Sequence, residues 1–466
     1  MNRNPTDSPA RVSEALSRRA WRSVGAWVNH LFGSPIFRRV IKNSGYLFSA
    51  TGLSAGLAMI QGILTARLLG VSDFGVLGAI TLFTSVVNNL ASFRMGEVVV
   101  KYVGQFAEAG DNRRAAATFK LAALVEMAAS ILAFGILYLL SPLGARYLAK
   151  DDSLSYLFVF YGLVVLANLI AESSTGLLQI FDRFRRMAGL NLAGNAVTLA
   201  VIVLVYILNG NLIGVLAAYL VGKSVSALIL SLAALREADQ RWGRDWRRSP
   251  LGLLKPHWRE MARFAVSTNI SASVSLVTKD SELLWVSLFR NPVETGYYKL
   301  ALTLTNLAQM PVSPLPQATY PELSRQAARR EWTEMRALMK RGSLLAGGYT
   351  LAATLFLLLL GKPLIGLLYT PQYLPAYPAL LILLFGFLAA NTYYWRRPAL
   401  LALGQAGFPA RVNLALAVVK LVGILLLVPR YGYLASAALL AGFYWVGSLI
   451  TVWKVFRLLP HEEQAR

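Results

Sequence analysis

Cysteine is absent from the 466 residues, and histidine occurs only three times. Without cysteine the chain cannot form disulfides or thiolate metal sites. His30, His257 and His461 lie outside the long apolar runs, and no His-Glu-x-x-His or similar metal-ligand spacing occurs. The sequence therefore predicts neither a metal centre nor a histidine-dependent catalytic site, and we expect a protein that is not an enzyme and holds no cofactor.

Charged residues are also scarce, at 15% of the chain, against about a quarter in an ordinary soluble protein. Hydrophobic residues make up 56%, and the mean hydropathy is +0.51. They form continuous blocks of roughly 18 to 25 residues, long enough to cross a bilayer as helices. This predicts an all-α membrane protein with about 12 transmembrane helices. The predicted spans lie near 45–69, 74–93, 117–140, 154–178, 188–208, 212–235, 263–289, 296–318, 342–361, 376–395, 411–428 and 432–453.

Acidic residues are outnumbered by basic ones, 23 against 46, which gives a net charge of +23. Most of the lysines and arginines fall in alternate connections between the predicted spans. Because cytoplasmic loops carry the excess of basic residues, both termini are predicted to face the cytoplasm. The charge thus reflects topology and attraction to anionic membrane lipids, and we expect no nucleic-acid partner.

The second half of the chain repeats the first at an offset of 221 positions. The aligned pairs include Gly75 with Gly296, Ser85 with Asn306, Asn88 with Gln309, and Gln61 with Glu282. An even number of spans in each half lets both halves enter the membrane from the cytoplasm. They are predicted to be parallel repeats, two six-helix bundles around a central cavity, as in transporters.

The amino-terminal segment and the central linker are both basic. In residues 1–42, a stripe of Leu16, Ala20, Val24, Trp27 and Leu31 lies opposite arginines, which predicts an amphipathic helix on the cytoplasmic leaflet. The predicted parts of the chain are this segment, a first bundle at 43–236, a cytoplasmic linker at 237–262, a second bundle at 263–454 and a cytoplasmic tail at 455–466.

Polar residues follow helical spacing on three predicted spans, so each presents a polar face. The second span carries Gly78, Thr81, Ser85, Asn88 and Ser92; the seventh carries Ser267, Ser271, Ser275, Lys279 and Glu282, with Asp280 beside them; the eighth carries Lys299, Thr303, Asn306 and Ser313. A charge at the centre of a membrane helix costs on the order of 3 kcal/mol on insertion scales, so it usually faces a cavity or a partner.

The charged and amide side chains inside the spans are the candidate site residues. The candidates for binding an anionic substrate are Lys279, Lys420, Lys223, Lys299, Arg67, Asn88 and Asn306. Asp280, Glu282 and Glu172 are candidates for binding a coupling H+ or Na+. Alternatives stay open, since Lys279 and Glu282 have the spacing of an ion pair, and Lys299 and Arg67 can extend towards the outer surface.

The stretch "TARLLGVSDFGVLGAI" (65–80), followed by "FRMGEVVVKYVGQFAEAGDNRRAA" (93–116), resembles the start of polysaccharide-export flippases. These belong to the multidrug/oligosaccharidyl-lipid/polysaccharide (MOP) exporter superfamily. The first of these stretches would form the corner between the first two spans, and "LFRNPVETGYYKLA" (288–301) is similar to the corresponding corner in the second half of such proteins.

The resemblance implies transport of undecaprenyl-diphosphate-linked oligosaccharide repeat units across the bacterial inner membrane by alternating access. The cargo would serve O-antigen, lipopolysaccharide or exopolysaccharide synthesis, with a polysaccharide polymerase and a chain-length regulator as partners. A lipid II flippase and a cation-coupled multidrug exporter of the same superfamily are the alternatives. A membrane glycan ligase or polymerase is disfavoured because the outer connections are short, and a scaffold because charges lie inside the spans.

Overall fold

The apolar blocks fold into helices because the bilayer offers no hydrogen-bond partners to the backbone. The structure is a computed structural model that describes residues 35–276, 281–405 and 407–459. The predicted amphipathic stripe at Leu16–Leu31 and the end of the tail, 460–466, lie outside the described residues.

The described chain contains sixteen α-helices, joined by short 3-10 and π-helical turns. They are α1 (Pro35–Ala91), α2 (Met95–Val98), α3 (Gly104–Glu108), α4 (Asn112–Gly144), α5 (Ser155–Ala167), α6 (Ala171–Ile180), α7 (Phe184–Ile207), α8 (Leu212–Trp242), α9 (Trp258–Ser275), α10 (Glu282–Phe289), α11 (Pro292–Gln309), α12 (Leu315–Ala328), α13 (Trp332–Leu368), α14 (Ala376–Thr392), α15 (Arg396–Ala402) and α16 (Gly407–Leu458). A π-helical turn, Val99–Val103, links α2 to α3.

Eight segments of the described chain are long and apolar enough to cross a membrane. Two of them, Gly52–Ala91 and Gly407–Leu458, have 40 and 52 residues, about twice the length that one crossing needs. Each is bent at a glycine with positive φ, Gly70 at 69° and Gly432 at 66°, a region that other residues avoid. Each therefore corresponds to two predicted spans, joined at a corner that the predicted topology places on the outer side. The full count of twelve stays a prediction.

The two halves meet through a repeated contact between the corner at Gly70 and the turn that joins α10 to α11. A Cβ added at Gly75 would overlap the carbonyl oxygen of Pro292, and one added at Gly296 would overlap the carbonyl oxygen of Val71. Val71 and Pro292 are themselves separated by 221 positions, so the same contact is made twice with the halves exchanged. The offset read from the sequence is thus an approximate two-fold relation in space.

The packed cores show where the halves join. One large core combines side chains of both halves near the outer corners, among them Phe74, Leu77, Leu283, Tyr298 and Tyr373. Towards the ends predicted to be cytoplasmic, the first and second halves have separate cores. On the predicted topology, the molecule is closed at its outer side.

Helix α9 packs on the first half, although the predicted second bundle begins at residue 263. Met261 and Ala265 belong to the same buried core as Met95, Tyr102 and Phe119. The amide of Asn269 donates to backbone carbonyls at the end of α1. The bundle boundaries stay a prediction, but α9 lies with the first half in this arrangement.

Candidate functional site

A central cavity of 530 Å³ lies between the halves, inward of the outer corners. Its walls come from α1, α5 and α8 of the first half and from α10, α11, α14 and α16 of the second. The polar stripes predicted on the second and eighth spans both reach it, through Thr81 and Ser85 on one side and Thr303 and Asn306 on the other. The structure therefore contains the cavity that the sequence pattern predicted.

The two-fold relation extends to the cavity walls. Helices α1 and α11 contribute matching positions, which are Gly78 with Lys299, Thr81 with Leu302, Leu82 with Thr303, and Ser85 with Asn306. Helices α8 and α16 contribute Tyr219 with Leu440, and Lys223 with Tyr444. The scaffold is therefore nearly symmetric, but each lysine replaces an uncharged residue at the equivalent position of the other half.

Lys223 stands where three cavities meet. Besides the central cavity it lines a side pocket of 250 Å³, which is enclosed by α1, α4, α5, α6 and α8, and a lateral cavity of 670 Å³ between α1, α7 and α8. Its side chain is exposed to these spaces. No hydrogen bond or ion pair from a described residue reaches its ammonium group. A cation held this way inside the membrane is a strong candidate to meet an anion.

Lys299 bridges the halves below the outer corners. Its ammonium group donates to the backbone oxygen of Phe74 at 3.1 Å and lies 4.0 Å from the centre of the Phe74 ring. The aliphatic stem packs on Gly78, where a Cβ would collide with the lysine Cδ. Lys299 thus lines the central cavity rather than reaching out to the surface.

Lys420 and Glu282 form an ion pair between α16 and α10. Both side chains are buried, with 4% and 2% exposed, and the ammonium group also faces the Phe443 ring at 5.4 Å. Glu282 borders the central cavity, whereas Lys420 lines none of the described cavities. The substrate-binding role of Lys420 and the coupling role of Glu282 stay predictions, and the pair gives both residues a structural role.

The side pocket is lined by polar groups of the first half. Asn88 and Glu172 both border it, together with Thr84, whose hydroxyl is buried and has no partner among the described residues. Glu126, 7% exposed, accepts from the backbone N–H groups of Glu172 and Ser173 at 2.8 and 2.9 Å and from the Ser173 hydroxyl at 2.5 Å. Its carboxylate therefore caps α6, where the fourth predicted span is interrupted.

The remaining candidates are separated from these cavities or lie outside the described chain. Arg67 donates to the Leu367 carbonyl at 2.5 Å, near the outer corner, and borders none of the described cavities. Lys279 and Asp280 lie outside the described residues, so their roles stay predictions. Within the described residues, no group of three or more metal-ligating side chains occurs.

Glu126 is not among the candidate site residues predicted from the sequence, and the fourth span is predicted to be continuous. The break lies at Asn168–Ile170, between α5 and α6. An acidic residue inside a predicted span could have indicated this break. A carboxylate in the membrane needs hydrogen-bond donors, and the free N–H groups at the start of a new helix supply them.

Comparison with known proteins agrees with this geometry. The family model described as "Polysaccharide biosynthesis protein" matches residues 40–327. The chain belongs to this family. A relative in Escherichia coli (strain K12), inner membrane protein YghQ, is 27% identical over 362 residues, which cover 75% of this chain and 98% of the relative.

Solved structures of the MOP superfamily share the fold of this family member. The lipid II flippase MurJ in an inward closed conformation has a TM-score of 0.69 at 15% identity, with 88% of this chain and 87% of that chain covered. An inward-facing multidrug resistance MATE family transporter has a TM-score of 0.68 at 14% identity, covering 87% and 94%. A MOP superfamily transporter from Pyrococcus furiosus, described by a binding pocket of reverse polarity, has a TM-score of 0.65 at 14% identity, covering 92% and 97%. The chain is therefore a multi-pass membrane protein with a transporter fold.

Proposed function

We propose that this protein is a flippase that moves polyprenyl-diphosphate-linked oligosaccharide repeat units across the bacterial inner membrane. The unpaired ammonium group of Lys223, at the junction of the three cavities, carries the proposal. Unpaired ions in hydrocarbon cost tens of kcal/mol in the idealised limit, so a diphosphate needs a counter-charge inside the bilayer. Lys223 and Lys299 supply that charge at two depths of one cavity.

Sugar hydroxyls require partners as well, since a polar group that loses water without a new hydrogen bond is costly. The central cavity offers Thr81, Ser85, Thr303 and Asn306, and the side pocket adds Asn88. These groups would replace water around the oligosaccharide. Alternating access follows when the outer contact between the halves opens and the cytoplasmic ends close.

Glu172 is our proposal for the group that binds a coupling H+ or Na+. It borders the side pocket, which it shares with Lys223. Binding of a cation there would change the charge that the diphosphate meets. Glu282 is a weaker candidate because Lys420 already neutralises it.

A deletion strain tests the function directly. Complete lipid-linked repeat units should accumulate on the inner leaflet, and less glycan should reach the polymerase and chain-length regulator that we propose act on the exported product. Normal display of polysaccharide together with altered drug tolerance would refute the proposal in favour of a multidrug exporter. Accumulation of lipid II instead would point to the peptidoglycan precursor.

Complementation then tests the site. Lys223→Ala should reduce export about tenfold or more, because a hydrogen bond to a charged group contributes about 1.5–3 kcal/mol. Lys223→Arg should restore part of the export, since it keeps the charge. Lys255→Ala is the matched control, because Lys255 is exposed in the linker and borders no described cavity. Equal export by Lys223→Ala and wild type, at equal protein levels, would reject this role.

A further inference from the structure

An apolar groove of 310 Å³ runs between α4 and α9. Helix α9 lines it with Trp258, Met261, Ala262, Ala265 and Val266. These positions are three or four residues apart or adjacent, so they form one face of the helix. The eleven residues that line the groove are apolar apart from the indole N–H of Trp258, so the groove offers very few hydrogen bonds to water.

Contacts on another face of α9 fix its position beside α2. Glu260 accepts from the Tyr102 hydroxyl at 2.9 Å and from the Lys101 ammonium at 3.3 Å. Phe264 packs edge-on against the Tyr102 ring at 5.9 Å. These contacts tie α9 to the π-helical turn after α2. Of its apolar face, Met261 and Ala265 pack into the core of the first half, whereas Ala262 and Val266 stay exposed along the groove.

The groove adjoins the side pocket. Phe93 and Met95, at the junction of α1 and α2, border both spaces. On one side of this junction lie Glu126 and Lys223, and on the other side lies the all-apolar wall formed with Leu121, Ala122 and Val125 of α4. A ligand that fills both spaces must have a polar head joined to an apolar chain.

We infer that the groove holds the first isoprene units of the polyprenyl carrier while its diphosphate oligosaccharide occupies the polar cavities. The inference rests on the proposed function. By the predicted topology, the groove lies at the depth of the cytoplasmic leaflet, where the carrier chain resides before transport. A phospholipid on the same face would keep its headgroup at the membrane surface, whereas a polyprenyl diphosphate in the groove would place its headgroup in the adjoining side pocket, which Lys223 lines.

Photo-crosslinking tests the assignment. The full chain is reconstituted in vesicles of phosphatidylethanolamine and phosphatidylglycerol with a polyprenyl-diphosphate oligosaccharide that carries a diazirine on its first isoprene units. Adducts should concentrate on Leu121, Val125 and Met261. Ala262→Phe fills the groove from an exposed position and should lower this labelling about tenfold, as loss of two or more buried methylene-sized groups predicts.

Ala128→Phe is the matched control, because Ala128 is exposed on α4 and borders no described cavity. It should leave labelling and flipping unchanged. Equal labelling along all lipid-facing residues, or equal labelling by a diazirine phospholipid, would overturn the groove assignment in favour of ordinary boundary lipid. Normal flipping by Ala262→Phe with adducts elsewhere would also overturn it. Wild-type vesicles that neither bind nor flip the glycan lipid would instead refute the proposed function itself.

Discussion

The buried ion pair between Lys420 and Glu282 allows a sharp prediction. Lys420→Met removes the ammonium partner of a carboxylate that is 2% exposed, whereas Lys420→Met combined with Glu282→Leu removes both charges. The two variants test whether Lys420 acts on folding or on substrate, because a phosphate ligand would be lost equally in both.

The magnitude follows from the burial of both groups. Breaking one side of a buried pair costs about 3–5 kcal/mol, since the remaining charge stays out of water, while replacing both sides by apolar groups is often neutral. Lys420→Met should therefore shift the folding equilibrium by about two to three and a half powers of ten. The double variant should recover most of that loss.

Reversible unfolding of the purified protein in mixed detergent measures the free energy of unfolding for each variant. Lys340→Met is the control, because Lys340 is exposed on α13. Export by the double variant then separates the roles, and near wild-type export would assign Lys420 to the structure alone. Wild-type stability of Lys420→Met would refute the reasoning from burial.

Three further predictions concern the contact between the halves at Gly75, the carboxylate that caps α6, and the contact of Glu260 on α9. Gly75→Val should keep the two halves apart at the outer corners, since the added side chain overlaps the Pro292 carbonyl. A single cysteine placed in the central cavity of this cysteine-free chain should then react with a reagent added from outside. The same cysteine should stay unlabelled in the control Gly135→Val, because a side chain added at Gly135 meets open space. Glu126→Ala should lower the free energy of unfolding by about 2 kcal/mol because backbone donors lose their acceptor, and denaturant titration should find a smaller loss for Glu126→Gln. Hydrogen bonds from a tyrosine hydroxyl and then a lysine ammonium hold the pKa of Glu260 below its usual range. The stability that the ionised carboxylate gives to the α9 contact is therefore present at neutral pH and is lost only as pH falls through the lowered pKa. Hydrogen exchange of α9 should therefore be equally protected at about pH 7 and about pH 5, and loss of protection at about pH 5 would contradict this.

Local chemistry made some features predictable. The corner at Gly70 follows from a glycine between two apolar runs, because only glycine readily adopts the positive φ found there. The helical spacing of the polar stripe from Gly78 to Ser85 predicted a polar helix face, and these residues do line the central cavity. Periodicity and backbone preference are properties of short stretches, so a single sequence contains them.

Contacts between residues far apart in the sequence could not be predicted from the sequence alone. The partner of Glu282 is Lys420, 138 positions away on another helix, whereas sequence spacing pointed only to neighbours such as Lys279. Similarly, the offset of 221 aligned Gly75 with Gly296 but did not imply that the two would meet. Such contacts depend on how helices are placed in three dimensions, which no local pattern determines.

The unequal lysines on the nearly symmetric walls of the central cavity have a consequence for how cargo is oriented. A cavity with true two-fold symmetry would accept a ligand equally well in either of two poses related by a half-turn. Because Lys223 occupies the position equivalent to Tyr444 and Lys299 the position equivalent to Gly78, the two poses differ in energy. An elongated headgroup would therefore bind with one particular end leading, because the charges on the two walls of the cavity do not match.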